Sequence, residues 1–158
     1  MEQTRDMEFK SKQGIRGHAH LELRGPDGRI KEVRDIENTI TELMDAQVAD
    51  QMSDQGAAAI GYMGVGTGSG QTSASTGLAT PLDRNALTST TLGAGGDDND
   101  VTYVGDWAAG DGTGAITEAG ILRADDNVTL MTYADFAVVN KLAADTLSIS
   151  WVTTYGAS

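Results

Sequence analysis

The feature that most constrains this chain is the run from Asp145 to Tyr155, where Leu147, Ile149, Trp151 and Tyr155 alternate with Thr146, Ser148, Ser150 and Thr154. A period of two puts the large apolar side chains on one face of a pleated strand and the small polar ones on the other. Such a strand has to lie with one face on a hydrophobic core, so Leu147, Ile149 and Trp151 are predicted core positions. Near the other end, residues 16–24 alternate His18, His20 and Glu22 against Ala19, Leu21 and Leu23. The turn Gly25-Pro26-Asp27-Gly28 then leads into a second strand over 29–36, which predicts a hairpin. Further β-like runs, divided by glycine, serine, threonine and aspartate, cover 58–65, 84–92, 101–108, 115–123 and 128–138. Strands spaced by turn signals, without a repeat of fixed period, predict a mainly β fold: a β-sandwich or jelly-roll-like single domain over residues 15–158.

One segment has a different period. Ile40, Leu43, Met44, Val48 and Met52 recur at helical spacing, leaving Glu42, Asp45, Gln47, Asp50 and Gln51 for solvent. Thr39 and Glu42 stand at capping-box spacing and Gly56 supplies a stop, so one substantial helix is predicted over about residues 39–54, packed on a sheet. The first 14 residues, MEQTRDMEFKSKQG, mix charges without apolar periodicity. They predict an arm outside the core, whose Arg5, Asp6, Glu8, Lys10 and Lys12 can pair with a partner surface.

Composition narrows the possible functions. A chain of 158 residues needs no staple to fold, since it can bury roughly 70% of the surface its unfolded form exposes. The net charge of -12, from 23 acidic against 11 basic side chains, repels phosphate backbones, so no nucleic-acid partner is expected. The bias toward aspartate and the scarcity of lysine suit a protein kept soluble in high salt. Without cysteine there is no thiolate ligand, disulfide or cysteine nucleophile. No apolar run of about 18 residues occurs, and the N-terminal residues are charged, so neither a membrane span nor a signal peptide is expected.

Four groups of residues invite chemical readings. Successive amides in the glycine-rich run Gly64-Val65-Gly66-Thr67-Gly68-Ser69-Gly70 could cradle a phosphate, but no Lys-Ser/Thr pair completes the loop and no helical pattern follows. The segment Gly64 to Gly77 is instead predicted to be a contact loop, ordered, if at all, by a neighbouring subunit. His18 and His20, at i and i+2 on a strand, could converge on a metal with Glu22 as a third ligand, yet on a solvent-facing strand they read as polar decoration. Asp97-Asp98-Asn99-Asp100 and Asp125-Asp126-Asn127 carry oxygen ligands suited to calcium but follow no EF-hand pattern, and aspartates equally make solvated turns. No G-x-S-x-G or other triad context occurs, so no catalytic residue, metal ligand or cofactor is assigned and the chain is expected not to be an enzyme.

Three segments taken together resemble a family of small structural proteins from tailed viruses of bacteria and archaea. The first is Gly25-Pro26-Asp27-Gly28 followed by Asn38 and the helix to Met52. The second runs from Met63-Gly64-Val65-Gly66-Thr67-Gly68 through a Ser/Thr-rich loop to Pro81-Leu82-Asp83-Arg84. The third is Ile116-Thr117-Glu118-Ala119-Gly120-Ile121, then Val139-Asn140-Lys141 and Ala144-Asp145-Thr146-Leu147. The resemblance spans roughly residues 17–155 and implies a virion component with a β-sandwich-like fold and no catalytic residues. Such proteins are similar in size and acidity to capsid decoration proteins, and also to modules of tails and fibres. The implied partners are copies of the chain itself, a trimer by resemblance, and other virion proteins such as the major capsid protein. The implied location is the capsid surface of the virion; the alternative is a receptor- or glycan-binding module at a tail tip or fibre.

Overall fold

The structure is a computed structural model that describes residues 14–157. In chain order its elements are β1 (Gly14–Arg24), β2 (Ile30–Glu37), β3 (Thr39–Ile40), α1 (Glu42–Ser53), β4 (Tyr62–Gly66) and β5 (Pro81–Ala86). They continue with β6 (Ser89–Leu92), β7 (Asp100–Trp107), β8 (Gly114–Leu122), β9 (Leu130–Lys141) and β10 (Thr146–Ala157). These strands form two five-stranded antiparallel sheets, ordered β2-β1-β10-β7-β6 and β3-β9-β8-β4-β5. The fold is therefore mainly β, a sandwich with one α-helix among the described residues, as the alternation predicts. The arm predicted over residues 1–14 lies outside the described residues except for Gly14, which opens β1.

The two longest alternating segments lie side by side: β1 pairs along its length with β10, Leu21 opposite Ile149 and Leu23 opposite Leu147. Their apolar faces point into the sandwich, where Leu147, Ile149 and Trp151 are at most 1% exposed, so the predicted core positions are core. Met63 and Val65 of β4, Ile116, Ala119 and Ile121 of β8, and Val139 of β9 meet them from the opposite sheet. The Gly25–Gly28 turn closes as predicted: the Gly28 amide donates to the Gly25 carbonyl, the Asp27 carboxylate accepts from the Arg29 amide, and Gly28 takes a φ of 80°. No described helix is long and apolar enough to cross a membrane.

Three local expectations are corrected. The capping box at Thr39 and Glu42 does not form, because Thr39 and Ile40 pair with Tyr133 and Thr132 of β9 and the helix starts at Glu42. A sheet edge offering free amides and carbonyls outcompetes the side-chain cap. Thr41, at the N-cap position, turns its hydroxyl to the Leu130 and Met131 carbonyls instead. Met52, predicted on the apolar face of the helix, is 84% exposed, whereas Gln47, predicted for solvent, is buried and donates to the Ala58 carbonyl. The runs at 58–65 and 84–92 also differ: the first becomes a strand only at Tyr62, and the second is two strands, β5 and β6, in opposite sheets. The chain crosses between the sheets at Leu87 and Thr88, whose amides bond the Gly61 and Val104 carbonyls.

Candidate functional site

The glycine-rich segment and the Ile116–Ile121 strand, some fifty positions apart in sequence, meet at one buried carboxylate. Glu118 on β8 is 0% exposed and accepts four hydrogen bonds. Its Oε1 takes the amides of Gly68 (3.1 Å) and Thr80 (2.8 Å), and its Oε2 takes the Ala79 amide (3.0 Å) and the Tyr133 hydroxyl (2.9 Å). A buried carboxylate is tolerated when its lone pairs are filled in this way. Within the glycine-rich run the Gly68 amide is thus taken by Glu118, while the Gly70 amide donates to Asp135 and the Thr67 amide to the Thr80 carbonyl. Burial and the Glu118 carboxylate together push the Tyr133 phenol well above its ordinary pKa, so it stays a hydrogen-bond donor.

A β-bulge explains how a charged residue comes to lie there. Between Ile116 and Glu118 the β8–β9 register slips, so that Ile116 faces Val139 and Glu118 faces Asp135. Ile116, Ala119 and Ile121 then point into the main core, while Leu122 joins a second cluster with Leu78, Leu130 and Tyr133. The segment 67–80 covers that cluster. It is tied down by the Asn127 side chain, which both accepts from the Leu78 amide and donates to its carbonyl, and by the Thr117 hydroxyl on the Gly68 carbonyl. The Ser73 carbonyl also accepts the first amide of α1. The prediction that a neighbouring subunit orders this loop is therefore corrected, since contacts within the chain hold it.

Gly66, at the end of β4, and Gly68 are required by this packing. A Cβ on Gly66 would collide with Glu118 Oε1 and the Thr80 carbonyl, and one on Gly68 would lie 2.7 Å from Ala79 Cβ. Gly66→Ala is expected to destabilise the fold by about 1–3 kcal/mol through overpacking, read as a lowered midpoint in urea. An unchanged midpoint would show that the loop and Glu118 can give way.

The remaining segments of the resemblance are also tied into contacts. Lys31 of the first hairpin reaches Asp145 at 2.8 Å, and Asp145 also accepts the Leu142 amide. The Lys31 ammonium holds the Asp145 carboxyl below its usual range. Lys141, 1% exposed, donates to the Ala108 carbonyl at 3.0 Å. Burial lowers its pKa, against the pull of Asp145, Asp111 and Asp83. Arg84 pairs with Asp125 at 2.8 Å, and Asp126 accepts from the Val128 amide and the Thr129 hydroxyl, so these aspartates form a braced turn.

The histidine pair sits on the outer face of the first sheet. His20 presents Nδ1 to Asp35 at 2.8 Å and Nε2 to Glu22 at 3.1 Å, while His18 Nε2 lies 3.3 Å from Asp35. Both ring nitrogens of His20 thus face carboxylates, an arrangement suited to imidazolium. Among the described residues no group of three or more His, Cys, Asp or Glu is placed to hold a metal ion. The Asp35 and Glu22 hydrogen bonds raise the His20 pKa above its ordinary 6.5. Its contribution to stability is therefore full below that value and lost as pH rises through the raised pKa. Asp35 and Glu22, held below their ordinary 3.8 and 4.5 chiefly by His20, contribute above those values and lose their contribution as pH falls. The network is strongest between about pH 4.5 and about pH 6.5. His20→Ala is expected to flatten the small fall in melting temperature between about pH 5.5 and about pH 8. The effect is small because the His20 and Asp35 side chains are 40% and 57% exposed and solvent screens them. An unaltered slope would remove His20 as its source.

An apolar groove of about 560 Å³ lies between α1 and strands β6, β7 and β10. Met44, Val48, Met52, Ile60, Leu92 and Tyr103 line it. At its inner end the Tyr103 and Tyr155 hydroxyls hydrogen-bond at 2.9 Å. Gln47, also in its wall, has a buried Oε1 without a hydrogen-bond partner.

No family model, curated protein or solved structure matches the chain. Glu118 as the organising residue was missed in the sequence. The available signal was a lone carboxylate inside the otherwise uncharged stretch Ala115 to Leu122.

Proposed function

We propose that this chain is a non-enzymatic structural component of a tailed-virus particle, bound to the shell as a homo-oligomer in the manner of a capsid decoration or cement protein. The observation that carries the reading is the use to which the resembling segments are put. Gly66, Gly68, Glu118, Lys141 and Asp145 hold loops and turns in place rather than converging on an open cleft. Residues that brace a scaffold suit a protein whose work is to present a rigid surface. A sandwich with pinned loops loses little conformational entropy when it docks, which favours repeated binding across a lattice.

The alternative, a receptor- or glycan-binding module at a tail tip or fibre, has less behind it. Trp107, Trp151, Tyr103 and Tyr133 are all buried and cannot serve as a stacking platform for sugars. The test is to purify the particles, count copies of this chain by quantitative mass spectrometry and locate it with labelled antibody. Many copies distributed over the head support the decoration reading. A few copies confined to the tail favour the alternative, and absence from the particle overturns both.

A further inference from the structure

Two open sheets have four edges, and three of them carry devices that discourage pairing with another chain. β2 bears Lys31, Glu32, Arg34, Asp35 and Glu37, β5 opens with Pro81 and carries Asp83 and Arg84, and β3 is two residues long. Edge charges, proline and shortness all keep unpaired backbone groups from being used as a template. β6, Ser89-Thr90-Thr91-Leu92, is short but has neither charge nor proline. All four of its residues are exposed, and it pairs with β7 alone. The uncharged stretch extends from Asn85 to Gly96.

The unguarded edge borders the apolar groove. Met52 at 84% and Leu92 at 67% are the most exposed large apolar side chains among the described residues, and both line it. We propose that the β6 edge and this groove are where two copies of the chain meet, β6 of one copy pairing antiparallel with β6 of the other. Every copy presents the same uncharged, unpaired strand, so a second copy offers this edge a matching strand, and charge places the contact here. Copies that each carry a net charge of -12 repel one another over most of their surface, and an edge without charge is where a second copy meets the least repulsion. A foreign partner drawn by charge would engage the acidic faces instead. Four residues of edge supply few hydrogen bonds, so covering Met52 and Leu92 has to supply the apolar part of the contact. This inference rests on the homo-oligomer part of the reading above, with a two-fold contact in place of the trimer that the resemblance implies, and gives it a location; it does not depend on the particle.

Sedimentation equilibrium on the full chain tests it, in about 0.1 M and about 1 M salt. The wild type is expected to form a dimer that tightens at the higher salt, as repulsion between like copies is screened. Leu92→Glu places two like charges at the contact and is expected to weaken the dimer on the order of 100-fold. Ile30→Glu, on the charged β2 edge, is expected to leave it unchanged. Circular dichroism melts establish that each variant is folded, and Thr91→Glu, exposed on the same edge, stands in if Leu92→Glu melts early. A trimer, which two-fold pairing cannot produce, overturns the proposal, as does an oligomer indifferent to both β6 variants. Either of those results leaves the homo-oligomer reading standing, whereas a wild type that stays monomeric at high concentration removes both.

Discussion

Replacing Glu118 by alanine is expected to lower the melting temperature by roughly 10 °C, the consequence of leaving several buried donors without an acceptor. The amides of Gly68, Ala79 and Thr80 and the hydroxyl of Tyr133 all lose their partner in one step. Deleting one side of a buried charged network costs about 3–5 kcal/mol, and in a domain of this size each kcal/mol moves the midpoint by about 2–4 °C. The loss should be local before it is global. Amide hydrogen exchange at Gly68, Ala79 and Thr80 should accelerate more than exchange in β1 and β10, because segment 67–80 is held chiefly by this carboxylate and by Asn127. Glu118→Gln keeps the shape but offers only one acceptor oxygen, so it should fall between alanine and wild type. A Glu118→Ala protein that melts like the wild type, with protected amides at those positions, would show that the loop is held by other contacts.

A loss of similar size is expected for Trp151→Ala, for a different reason. Trp151 is 0% exposed, paired with Ala19 and Tyr103 on the neighbouring strands, and sits in the cluster that joins the two sheets. Truncation removes the transfer free energy of the indole and leaves a void that close-packed strands cannot collapse around, at a cost of about 3–5 kcal/mol. Its Nε1 has no hydrogen-bond partner, so Trp151→Phe discards an unsatisfied donor together with part of the ring volume. The phenylalanine variant should therefore retain most of the stability that alanine loses. Denaturant unfolding of both variants separates the terms. Equal losses would mean that volume counts for little at this position, and no loss in either would place the Trp151 face outside the core.

Strand identity was legible because a period of two is a local property. In β1 and β10 the alternation alone separates His18, His20 and Glu22 from Ala19, Leu21 and Leu23, and Leu147, Ile149 and Trp151 from their serine and threonine neighbours. Chain-local chemistry likewise located the Gly25–Gly28 turn and the existence of α1. The start of α1 was not legible, because the competitor for Thr39 and Ile40 is the edge of β9, some ninety positions away in sequence. The same holds for the break between β5 and β6, which is set by which sheet each half joins. At the candidate site, sequence supplied the glycines and the lone glutamate but not their meeting. That depends on the bulge in the β8–β9 pairing, which places Glu118 beneath segment 67–80, and a register slip is a property of two strands together. By itself the sequence determined the class of fold and the core face of β1 and β10, both set by neighbours within a few residues. Only tertiary structure decided which loop is pinned, which carboxylate pins it and which sheet edge is left unguarded, because each of these depends on residues brought together by folding.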